Sequence, residues 1–256
     1  MIRMRRPAFT IVELLVVMGI ISVLLGLLLP ALSGVKTAAR QLLGQSNLRQ
    51  MSLAAHKYAA LWDTYPAAVR YEEVEGEIHA IAWDWVTRLA DGELVSPGPL
   101  WGMTDDPDRV MQCPAYFGPS NFEGDPFTGY NYNTSYIGGE AVNQVGWEAV
   151  RKGVPPHACR RAAQCAIFGC GGYSGGANKF MRAPLSPNGW PLMQIYAGGQ
   201  AFHYNGETNV AYVDGHVATE SQPHEGEHAT EELLNMLGYP DNGFLSDDDT
   251  AYDPRG

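Results

Sequence analysis

Positive charge is scarce in this chain. Its 256 residues carry 17 Lys and Arg against 28 Asp and Glu, a formal charge of −11. From Ala201 to the last residue there are twelve Asp and Glu and one Arg. Phosphate contact needs clustered Lys and Arg, so no nucleic-acid partner is expected. The acidic excess reads as solvation of an exported surface. Cysteine is also sparse, at four: Cys113, Cys159, Cys165 and Cys170. No Cys-x-x-Cys pair occurs, which argues against a zinc ribbon. An oxidising compartment permits disulfides among the four, and their connectivity stays open. If Cys165 and Cys170 share one extended strand, they are too far apart for a direct bridge. Catalytic signatures are missing as well. Ser174, within Gly172-Tyr173-Ser174-Gly175-Gly176, lacks the strand–turn–helix context of a nucleophile elbow, and its glycines read more simply as a tight loop. No enzyme activity is expected.

Long hydrophobic runs are absent except for one. Ile11 to Leu29 is apolar apart from Glu13 and Ser22, with Gly19 and Gly26 inside it. That length just suffices to span a bilayer. Before it stand Arg3, Arg5 and Arg6, then Pro7, Ala8, Phe9 and Thr10. Glu13 is out of place in an ordinary span. An ionised side chain at the bilayer centre costs at least roughly 2.5–3.5 kcal/mol on insertion scales. It calls for a cationic partner, and an α-amino group at Phe9, on this chain or a neighbour, is the obvious one. A secretory signal would want an Ala-x-Ala-like site after the apolar core. Here Pro30-Ala31-Leu32-Ser33-Gly34-Val35-Lys36 runs straight into an amphipathic pattern.

The basic leader, Phe9, the order Thr10-Ile11-Val12-Glu13-Leu14-Leu15 and Pro30 together resemble the N-terminus of type IV pilins and type II secretion pseudopilins. The resemblance implies a leader over 1–8, cleavage between Ala8 and Phe9 by a prepilin peptidase, and methylation of Phe9. It implies that Glu13 pairs with the amine of an adjacent subunit during filament assembly. It departs from the family at Ala8, where Gly is usual. The location implied is a single-pass protein of the bacterial inner membrane, its head periplasmic or extracellular, later part of a filament with like subunits. The competing class is a membrane-anchored adhesion or ligand-binding head that never polymerises.

Helical periodicity resumes after Pro30: Leu32, Val35, Ala39 and Leu42, then, after a phase shift, Leu48, Met51, Ala55 and Tyr58. One helix over 9–62 is expected, membrane-spanning over 9–29, followed by a head over 63–256. The fold class is α+β, the head built on an antiparallel sheet. A short helix is expected within 81–94 and irregular loop over 97–133. Ala163 to Phe168 reads as a buried strand. Asn205-Gly206 and Asp214-Gly215 are hairpin signals. They predict a three-strand meander over 194–220. Glu231 to Leu237 reads as a short helix closed by Gly238, and the acidic tail after Ser246 reads as loose chain.

The stretch from His203 to Asp214-Gly215 resembles the C-terminal His–X9–Asp–Gly signature of one pilin-like family, as does Gly172 to Arg182. Ten residues, not nine, separate His203 from Asp214. The meander places His203 opposite Thr208 and Asp214 at the far end of that strand, so His203, Asp214 and Gly215 are read as structural. A metal site from His203, Asp214 and His216 is the weaker alternative, since imidazole and carboxylate suit zinc. No cofactor is expected. The pseudopilin resemblance keeps Ca²⁺ as a minor option, with oxygen donors at Asp241, Asp247, Asp248 and Asp249 and no EF-hand loop.

Overall fold

The structure is a computed structural model and describes residues 10–104, 107–119, 129–139, 152–185 and 198–255. It divides into two units, residues 1–39 and 40–256. Helix α1, Ile11–Trp62, belongs to both.

In the first unit α1 starts at Thr10, whose carbonyl accepts from Leu14 N–H at 3.2 Å. The apolar side chains that follow are exposed all along the run, from Ile11 to Leu29. The helix runs without a break through Pro30.

In the second unit α1 acquires a buried face. Leu48, Met51, Ala55 and Ala59, spaced three to four residues apart, are all inside. The earlier row does not share this fate. Leu32, Val35 and Leu42 are more than half exposed. Within that unit, contact with the rest of the head already begins at Gln41, which donates to Glu207, and at Gly44, which lies against Tyr204; the apolar stripe from Leu48 onward extends it.

Among the described residues the head contains two sheets. The first is a meander of β1 (Val69–Val74), β2 (Glu77–Ala82), β3 (Trp85–Arg88) and β4 (Leu94–Pro97). The helix expected within 81–94 is thus two strands and their turns. Trp83, Trp85, Val86 and Leu89 give a mixed helical spacing, but the local alternation of β2, with Ala80 and Ala82 buried, is a strand pattern.

The second sheet has the order β10-β9-β6-β5-β7, with β5 (Tyr130–Asn133), β6 (Ala166–Gly172), β7 (Phe180–Met181), β9 (Thr208–Tyr212) and β10 (Val217–Glu220). Strand β6 is buried throughout and pairs on one edge with β5. Its other edge is shared. Ala166–Gly169 pairs with β9, and Gly171–Gly172 pairs with β8 (Gly199–Ala201). Both partners are antiparallel to β6, so β8 and β9 lie one after the other along a single edge.

That arrangement corrects the meander expected over 194–220. Asn205-Gly206 does make a tight turn: Asn205 and Gly206 sit at φ 56° and 85°, and Tyr204 and Glu207 exchange both backbone hydrogen bonds. The turn does not fold β9 back on β8. It loops out a few residues between two collinear strands, because buried β6 offers both a better partner. The second turn also differs from a two-residue hairpin. Tyr212 N–H donates to His216 O and Gly215 N–H to Tyr212 O, with Gly215 at φ 92°. This is a three-residue loop ending in a left-handed glycine. Residues 194–197 lie outside the described residues.

Side chains alternate across this sheet. One face, with Tyr130, Tyr132, Phe168, Cys170 and Ala211, packs with α1 residues Leu48, Met51, Ala55 and Ala59. Trp83 joins them, its indole N–H donating to Lys179 O. The other face, with Ala166 and Val210, meets Leu233 and Leu237 of helix α2 (Glu231–Leu237) and Phe244 and Tyr252 of the tail. Thr230 caps α2 and Gly238, at φ 76°, ends it. The tail is not loose. Buried Asn133 donates to the carbonyls of Ala166 and Tyr252, Cys165 Sγ donates to Tyr252 O at 2.9 Å, and Leu245 N–H donates to Tyr252 Oη. Its carboxylates give it an acidic sequence, while its aromatic ring anchors it.

Candidate functional site

Two places carry unusual chemistry. The first is the start of α1. Glu13 Oε2 accepts from both the backbone N–H and the hydroxyl of Thr10, each at 2.8 Å, and Glu13 N–H donates to Thr10 Oγ1 at 3.2 Å. This is a reciprocal capping box, in which the cap residue and the third helical residue satisfy one another's orphan groups. The carboxylate expected to need a neighbour's amine therefore has a local partner too. The sequence offered a signal for this, a Thr-x-x-Glu pattern ahead of an apolar run, and attention to the charge alone passes over it. Ala8 and Phe9, the expected processing site, lie outside the described residues.

These features belong together: a basic leader, a capped first turn with one carboxylate, and an exposed apolar helix long enough to cross a membrane. Residues 3–29 match the prokaryotic N-terminal methylation motif. The chain carries a prepilin-type signal. Behind that signal stand the long apolar helix and an α+β head built mainly on antiparallel sheet. The match ends at Leu29, so the C-terminal resemblance lies beyond it. No curated protein and no solved structure matches the chain.

The second place is in the head. The looped-out turn after β8 carries His203 and Tyr204. His203 is half-buried and Tyr204 fully so. Cys170 comes from the centre of β6, and Cys113 from the segment after the short helix Pro107–Val110. That segment is clasped to α1 by Asn47, whose amide donates to the carbonyls of Arg109 and Gln112. The ligand atoms of Cys113, Cys170 and His203 all lie within 4.8 Å of one another. Cys113 Sγ is 3.7 Å from His203 Nε2 and 3.7 Å from Tyr204 Oη. For Cys113, burial works against ionisation, but hydrogen bonds from Cys170 and His203 prevail and hold the thiol well below its usual range. For Cys170, the Cys113 sulfur and then burial push the thiol well above it.

Two glycines make room. A Cβ on Gly129, at φ 97°, would stand 2.5 Å from Cys113 Cβ, and one on Gly44 of α1 would stand 2.6 Å from Tyr204 Oη.

The structure does not bring together the set His203, Asp214 and His216. Asp214 and His216 meet each other at 2.6 Å, across a surface turn at the opposite end of β9, and the His216 ring stacks on Tyr212. Burial would raise the Asp214 carboxyl, yet hydrogen bonds from His216 hold it below its ordinary value. Thr208 to Tyr212 separates the two ends, so His203 faces the core thiols instead. Gly215 serves the same surface turn. Among the acidic residues considered for Ca²⁺, Asp247 contacts His224 at 3.1 Å, Asp248 caps Thr250, and Asp249 accepts from Tyr136 Oη and Leu185 N–H. All four cysteines are free thiols. Cys159, partly buried, is raised to about 11 by burial.

Proposed function

We propose that the protein is a structural subunit of a type II secretion pseudopilus or a type IV pilus-like filament. A prepilin peptidase cuts before Phe9 and methylates it. The subunit waits in the inner membrane as a single-pass protein, its head outside the cytoplasm, and then joins like subunits. No catalytic step is required of it.

The observation that carries this reading is the first half of α1. Its apolar run follows the methylation motif and is exposed from Ile11 to Leu29. At about 1.5 Å per residue such a run is close to the roughly 30 Å of a hydrocarbon core. Lipid tails are as apolar as leucine, so apolar contact alone gives a helix little reason to leave lipid for a bundle of like helices. A charge decides the matter. The Glu13 carboxylate, held by Thr10 in the isolated chain, is drawn to a free α-amine on a neighbour, because in a low-dielectric medium an ion pair is stronger than a hydrogen bond from an uncharged donor.

The test has two arms. Intact-mass analysis of the membrane-derived protein should find Phe9 as the N-terminus, carrying one methyl group. Met1, or a cut beyond Leu29, removes the filament reading. Glu13→Val should leave membrane insertion intact and abolish assembly. Filaments at normal yield in that variant would defeat the charge-pair argument.

A further inference from the structure

We propose that Cys113, Cys170 and His203 form a buried structural zinc site that locks the looped-out turn after β8 to the sheet and to the Cys113 segment. The inference does not depend on the filament reading.

Three independent segments deliver the ligands: the segment after the short helix Pro107–Val110, the centre of β6, and the turn between β8 and β9. Among the described residues this is the one place where three such ligand atoms converge. Its dimensions suit the ion. A tetrahedral zinc with a thiolate at about 2.3 Å and an imidazole at about 2.0–2.1 Å sets those two atoms roughly 3.6 Å apart. The Cys113 Sγ to His203 Nε2 distance is 3.7 Å. A disulfide needs sulfurs about 2.05 Å apart and uses no imidazole, so it leaves the convergence of His203 unexplained.

Charge balance points to the same ion. Two thiolates, a neutral imidazole and a divalent cation sum to zero, which is the charge state a buried site tolerates. A monovalent soft cation such as Cu(I) would leave one negative charge inside. Tyr204 Oη, also 3.7 Å from Cys113 Sγ, borders the fourth position, and half-buried His203 marks the side open to solvent. A metal bond across three segments also gives the excursion between β8 and β9 a physical purpose.

The experiment uses the full chain in detergent micelles. The protein isolated without chelator should contain one zinc per chain by elemental mass spectrometry. Exchange with Co²⁺ should give a thiolate-to-cobalt charge-transfer band and the visible absorption of a four-coordinate ion. Cys113→Ser and Cys170→Ser should lose the band. His203→Gln should weaken zinc binding at least tenfold, while Cys159→Ser should leave it unchanged. Chelation of the wild type should lower its thermal midpoint, a readout that does not require any variant to fold. Zinc-free protein that also takes up no Co²⁺ would overturn the proposal. So would a wild-type mass lighter by two hydrogens with a mapped Cys113–Cys170 disulfide.

Discussion

Between Ile11 and Leu29, α1 exposes every one of its large apolar side chains, whereas between Leu48 and Ala59 it buries one at every third or fourth position. The two stretches belong to one helix, and both are rich in apolar residues. What differs is the arrangement. The first is apolar all round, so no face is singled out, and its stability rests on backbone hydrogen bonds that need no neighbour. The second carries polar residues on one side, and its stability comes from a stripe fitted against the sheet. The difference teaches that hydrophobic content sets the solvent a helix tolerates, while periodicity sets whether it has a partner within its own chain.

The comparison breaks most sharply inside the head. Asp84 and Lys179 form an ion pair at 3.0 Å, both nearly sealed from water. Asp84→Ala takes away the carboxylate beside a buried ammonium and should cost about 3–5 kcal/mol of head stability. Chemical unfolding followed by tryptophan fluorescence measures it, and membrane retention should not change.

Next come paired truncations on the two stretches. Met51→Ala should destabilise the head by about 2–5 kcal/mol, because it empties a fully buried site. Leu27→Ala, on the exposed run, should change head unfolding by no more than about 0.5 kcal/mol. Equal effects would show that the two stretches are not separate in energy.

A third variant tests strain without packing. Gly215 has φ 92° and nothing within 4 Å of an added Cβ. Gly215→Val should cost about 1–3 kcal/mol through backbone conformation alone, read as a lower thermal midpoint. The smallest effect is expected at Thr10. Thr10→Ala removes half of the capping box and should cost about 1 kcal/mol of local helix stability. Amide exchange confined to the first turn of α1 would register it, and a change in head exchange would contradict it.

Local signals were readable wherever one segment could satisfy its own needs. The apolar run, the Gly238 stop of α2, and the left-handed turn at Asn205-Gly206 depend on neighbours in sequence. Thr10-x-x-Glu13 was equally local, and reading Glu13 only as a stray charge hid its cap. Reading failed where two partners competed. Asn205-Gly206 correctly marked a turn but not which strand β9 would pair with, because β6, far away in sequence, decided that. Trp83, Trp85, Val86 and Leu89 suggested a helix because apolar spacing is ambiguous over so few residues, and the pairing of β3 with β2 and β4 settled the matter. The acidic tail looked loose because its composition concealed one anchoring ring, Tyr252.

By itself the sequence determined the prepilin-type segment, since a helix that meets its backbone needs internally and presents only apolar side chains has the same structure in any apolar surrounding. It also determined that the chain would turn at Asn205-Gly206 and at Asp214-Gly215, because Asn205, Gly206 and Gly215 readily take the positive φ those turns use. Only the tertiary structure decided what those turns accomplish. His203 and Asp214 look like a pair along the chain, but the strand between them holds them at opposite ends. His203 instead meets Cys113, ninety residues away. Such a meeting requires α1, β6 and the segment after the short helix Pro107–Val110 to pack at once, and no local preference encodes that.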